Sequence, residues 1–102
     1  MKIDPYAIPG LMTPEEIAAD IWGIPDIRLL HTHTRNRKVV ECRQVLFYHL
    51  VQTTTSSPTI IGETYEMDRN TVKHACENVS NLLETHNEEF IRKYDLFIKR
   101  LR

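Results

Sequence analysis

No stretch of this chain restricts its fold as strongly as Ser57 to Leu83, SPTIIGETYEMDRNTVKHACENVSNLL. Val72, Ala75, Cys76, Val79, Leu82 and Leu83 recur at steps of three and four, which sets them on one stripe of a helix that a core must cover. The opposite face carries Asn70, Lys73, His74, Glu77 and Asn81, hydrogen-bonding groups that favour water. Upstream, Ser57 reads as an N-cap and Pro58 as a first helical residue, with Ile60, Ile61 and Tyr65 forming the apolar side of a short helix. Only Glu66-Met67-Asp68 separates the two helices, and Asp68 can cap the second by accepting from the amide of Asn70 or Thr71. This is a candidate helix-turn-helix, in which Arg69, Asn70 and Thr71 would lead into a major groove. From periodicity alone, an ordinary helical hairpin with a solvated face is the more economical reading.

The remainder of the chain predicts an all-α fold, a small helical bundle built around that pair. Residues 1–12, with Pro5, Pro9 and Gly10, are expected to form an N-terminal arm, and 13–102 the domain. Thr13-Pro14-Glu15-Glu16 has the form of a capping box, with Glu16 placed to reach back to the Thr13 amide. The helix it starts buries Ile17, Ala18, Ile21 and Trp22 and stops at Gly23. Ile24, Ile27, Leu29 and Leu30 suggest a short second helix or turn. The polar run from His31 to Lys38 is expected to be an exposed loop. Val39 to about Gln52 reads as a central helix, because its apolar residues cover more than one face. A last helix puts Phe90, Ile91, Tyr94, Phe97, Ile98 and Leu101 on one side, and its basic end suits the helix dipole.

Several function classes are excluded. There is no apolar run near eighteen residues and no signal-peptide pattern, so no membrane partner is expected and the cytoplasm is the expected compartment. Gly10, Gly23 and Gly62 belong to no phosphate-cradling loop, which argues against an ATPase. Cys42 and Cys76 are expected to be reduced, buried thiols. The His31-Thr-His33 spacing lacks further ligands, so neither a metal nor another cofactor is expected. His49, His74 and His86 form no nucleophile arrangement, and no enzyme is expected.

Net charge is −1, yet its distribution is uneven. Arg28, Arg35, Arg37, Lys38 and Arg43 face a single acid, Glu41, within one segment, whereas Asp4, Glu15, Glu16, Asp20 and Asp26 oppose Lys2 alone before it. The total hides a local basic patch.

Taken together, Arg35-Asn-Arg37-Lys38-Val39-Val40, Arg43-Gln44, Ile61-Gly62, Asp68-x-x-Thr71-Val72-x-His74-Ala75-Cys76 and the run from Tyr94 to Leu101 closely resemble the C-terminal DNA-binding domain of bacterial DnaA replication initiators, over roughly residues 21–101. The resemblance implies an all-helical module that recognises short AT-rich boxes in double-stranded DNA. It implies an arginine of the basic loop, Arg35 or Arg37, in the minor groove, and a tetrad at Asp68, Arg69, Asn70 and Thr71 in the major groove. Lys38, Arg43, Lys73 and His74 complete the expected DNA-binding set, with replication or mobile-element proteins as further candidate partners. The departures are specific. Arg69 replaces the family's histidine, Asn70 its hydroxyl residue, and Glu66-Met67 a Gly-Gly-Arg turn one residue longer. Glu41 and Glu77 fall where the family is usually basic. No nucleotide-binding domain precedes the module in this sequence, so a stand-alone binder is expected. A protein-interaction module built on a DNA-binding fold is the alternative.

Overall fold

The computed structural model describes residues 13–54 and 56–101, and the expected N-terminal arm lies outside them. Among the described residues are five α-helices, one 3-10 turn and no strand: α1 Pro14–Trp22, the turn Ile27–His31, α2 Arg37–Thr53, α3 Pro58–Thr64, α4 Arg69–Glu84 and α5 Glu88–Arg100.

Most boundaries follow from caps. Thr13 accepts from the Glu16 amide, and its hydroxyl in turn donates to the Glu16 carboxylate at 3.2 Å, so the capping box closes through the hydroxyl. Gly23 ends α1 at φ 72°, a left-handed position that costs glycine nothing. Thr53 and Thr54 turn their hydroxyls onto the carbonyls of His49 and Leu50 and close α2, after which Ser57 caps α3 and Asn87 caps α5.

Helix α2 is the centre of the bundle, packed against α1, the 3-10 turn, α3 and α4, and it buries Val39, Cys42, Val45, Leu46 and Phe47. Phe47, Phe97, Leu30, Val72 and Val79 are wholly enclosed. The last helix closes the bundle on α1, with Phe90 edge-on to Trp22 and Arg100 paired to Asp20 at 2.7 Å. Ile60 departs from the sequence expectation. It is 52% exposed, because α3 is too short to turn more than Ile61 and the following Tyr65 inward.

Tyr65 ties α3 to α1. Its hydroxyl donates to Glu15 at 2.6 Å, and its ring stacks on His31 at 4.3 Å and meets Phe47 edge-on at 5.0 Å. Burial, and then the hydrogen bond to Glu15, pushes the Tyr65 phenol well above the usual tyrosine range. Burial pushes the neighbouring Cys42 thiol up to about 12. Both groups hold their protons more tightly folded than unfolded, so their contribution is complete at neutral pH. It begins to fall once the unfolded thiol ionises near pH 9 and the unfolded phenol near pH 10. Urea midpoints should therefore be flat from pH 7 to 8.5 and decline above pH 9. The Cys76 thiol is raised by burial as well, so Cys42→Ala should lessen the earliest part of that decline, and an unchanged curve would contradict the assignment.

Candidate nucleic-acid interface

The turn between α3 and α4 is set by one close approach. Glu66 adopts φ 55°, and the Met67 amide donates back to the Gly62 carbonyl at 2.7 Å. That brings the Met67 carbonyl oxygen against Gly62, where any β-carbon would strike it. The reversal delivers Asp68 to the start of α4, where its carboxylate accepts from the Asn70 amide at 2.7 Å. Asp68 is thereby committed as a cap and orients the turn behind it. Arg69, Asn70, Thr71, Lys73 and His74 are all exposed, while Val72, Ala75 and Val79 on the other face are buried. This is the division the periodicity predicts.

The basic segment differs from an open loop running to Lys38. Asn36 caps α2 by accepting from the amides of Lys38 and Val39, so Arg37 and Lys38 occupy the first turn of that helix. The sequence missed this because the apolar stripe begins only at Val39. Two cations at a helix N-terminus oppose the macrodipole, an arrangement that an incoming anion relieves. Arg35, Arg37, Lys38, Arg69 and Lys73 have no ion-pair partner among the described residues. Arg28 is different, because it donates to both oxygens of Asp26, from Nε to Oδ1 at 3.1 Å and from Nη2 to Oδ2 at 2.7 Å.

Arg43, expected in the DNA-binding set as a phosphate-neutralising cation, is only 8% exposed and donates from Nη1 to the Thr32 carbonyl at 2.7 Å. Its position between two apolar neighbours of the α2 core face, Cys42 and Leu46, turns it inward. Desolvation lowers its pKa from a very high starting value, and it stays charged.

The acidic intrusions are unequal. Glu41 is half-buried and accepts from the Trp22 indole N–H at 2.9 Å, so its carboxylate already has a partner within the fold. Glu77 stays at the surface, 3.7 Å from His74, and Glu63 and Glu66 are also exposed. The exposed large apolar residues Ile27, Ile60 and Leu96 lie on three different elements.

One contact that is not legible in the sequence links α2 to α4. Asn78 Nδ2 of α4 donates to Gln44 Oε1 of α2 at 2.7 Å. Arg37, Glu41 and Gln44 follow one another along one side of α2, and Thr71, His74 and Asn78 along one side of α4, so the bond joins the two polar strips at their Gln44 and Asn78 ends, from which they run in opposite directions. Arg37 and Lys38 also border a crevice of about 450 Å³ shared with Leu82 and Asn87. The α2 N-terminus therefore lies toward the C-terminal end of α4, while the Arg69 turn opens its other end. From Arg69 to Leu82 the helix rises roughly 20 Å at 1.5 Å per residue.

Comparison with known proteins agrees with this geometry. Residues 16–79 match the family described as bacterial dnaA protein helix-turn-helix. The chain is 32% identical over 88 residues, 85% of its length, to the chromosomal replication initiator protein DnaA of Flavobacterium psychrophilum, and it spans 18% of that relative. The family match covers the tight turn, the capped α4 and the basic first turn of α2, and the chain belongs to the bacterial DnaA helix-turn-helix family.

Proposed function

We propose that this chain is a non-catalytic module that binds double-stranded DNA with sequence preference, the first turn of α4 in a major groove and the basic segment before α2 in the flanking minor groove. The observation that carries the reading is the exposed, polar start of α4 together with the exposed cations Arg35, Arg37, Lys38 and Lys73, which have no ion-pair partner among the described residues. In the major groove Asn70 can pair through both amide atoms with adenine, and Arg69 can do the same with guanine. Arg35 is a guanidinium suited to the narrow minor groove of AT-rich sequence. Arg37, Lys38 and Lys73 position the module on phosphates.

Anisotropy titrations with an AT-rich initiator-box duplex, a scrambled duplex and a single strand at two salt concentrations test this. Four neutralising cations, Arg35, Arg37, Lys38 and Lys73, give a log affinity against log salt slope of about −3.6. Arg37→Ala should weaken both duplexes about fivefold, whereas Asn70→Ala should weaken only the preferred one, by about tenfold. Undetectable duplex binding at low salt, or indifference to both substitutions, overturns the reading.

A further inference from the structure

Arg43 is the one charged side chain that the fold buries among the described residues, and its contact lies at the foot of the basic segment. Thr32 turns its own amide and hydroxyl onto the Leu29 carbonyl, at 3.1 and 2.7 Å. Its carbonyl is left to the Arg43 guanidinium. At the other end of the segment, the Asn36 amide donates to Thr34 Oγ1 at 3.1 Å while the Asn36 side chain caps α2. His33, Thr34 and Arg35 thus form a short arch held at both ends, with His33 and Arg35 exposed. The Arg43 bond ties the arch to the body of α2 across eleven residues, and the other bonds are local.

We infer that Arg43 is a positioning residue for DNA recognition: it fixes the arch so that Arg35 is presented to the minor groove, and does not itself neutralise a phosphate. This rests on the DNA-binding reading above. A long cation on a free loop must be ordered when it binds, and an arch fixed beforehand removes that entropic cost. Arginine suits the task because its planar fork directs a donor at a carbonyl from a fixed distance. Lysine keeps the charge on a stem whose rotating ammonium does not reproduce that geometry.

The test uses the full chain and a double-mutant cycle between Arg43→Gln and Arg35→Ala, with Arg43→Lys as a third variant. Binding to the AT-rich duplex is read by anisotropy, folding by thermal melting, and arch order without DNA by backbone ¹⁵N relaxation. Arg35→Ala should weaken binding about tenfold in the wild-type background and less than twofold beside Arg43→Gln. The salt slope should fall by about 0.9 for either single variant and by no more for the double. Arg43→Lys should behave as Arg43→Gln does, and residues 33–36 should lose order in both while α4 does not. Additive losses, a slope that falls twice, or wild-type affinity in Arg43→Lys would overturn the inference, because each would make Arg43 a direct phosphate contact. An equally ordered arch in Arg43→Gln would overturn it while leaving duplex binding intact. Failure of the wild type to bind duplex would instead remove the DNA-binding reading and, with it, the recognition role assigned to Arg43.

Discussion

Phe47→Ala should destabilise the domain by about 4 kcal/mol, the largest effect expected of any single truncation. Phe47 is completely enclosed at the middle of α2, and its ring supports Tyr65 edge-on at 5.0 Å. Removing it deletes apolar surface and leaves a cavity. It also withdraws support from a phenol that must stay in line with Glu15 across the α1 and α3 interface. A domain of this size has a total stability of roughly 5 to 15 kcal/mol, so the variant should be measurably unfolded near 37 °C. Phe47→Leu keeps most of the volume and should cost roughly 1.5 kcal/mol. Urea denaturation of the two variants settles the matter. If they lie within 1 kcal/mol of each other, Phe47 is not the packing centre described above.

Gly62→Ala should lower stability by about 2 kcal/mol and the melting temperature by about 10 °C. In an unobstructed helix interior this exchange would gain about 1 kcal/mol, so the sign is the informative part. It reverses because the new β-carbon meets the Met67 carbonyl oxygen, a backbone atom whose position is fixed by the turn and cannot rotate aside. To relieve the clash the turn must open, and Asp68 would move with it and carry the first turn of α4 away. DNA affinity should therefore fall by more than the unfolded fraction explains. Gly23→Ala provides the control. At φ 72° it has open space around it and should cost only about 1 kcal/mol of backbone strain, with no effect on DNA binding beyond the unfolded fraction. A Gly62→Ala protein that melts at or above wild type would show that the turn yields easily.

Legibility in the sequence follows the range of the interactions. The apolar stripe of α4, the caps at Thr13, Ser57 and Asp68, the stop at Gly23 and the buried face of α5 depend on neighbours within one or two helical turns, and each was readable. The exposed start of α4 was readable for the same reason. Ile60 departs from its expected place because a helix of seven residues has an apolar side only if a partner covers it, and among the described residues none covers that part of α3. The apolar stripe marks the start of α2 two residues late because Arg37 and Lys38 contribute nothing to a hydrophobic period. The burial of Arg43 is not legible in the sequence, because a cation in a basic segment looks like its exposed neighbours and only its acceptor eleven residues away distinguishes it.

The sequence by itself therefore determined the succession of helices, the caps at Thr13, Ser57 and Asp68, the tight turn and the family, all properties of local spacing and residue type. Tertiary structure alone decided which charges are available. It turned Arg43 inward onto a carbonyl, engaged Glu41 with Trp22, and joined the polar strips of α2 and α4 through Gln44 and Asn78. The reason is that charge and hydrogen-bonding capacity belong to a residue wherever it sits, whereas whether they meet solvent, a ligand or another part of the chain depends on what packing brings within about 3 Å.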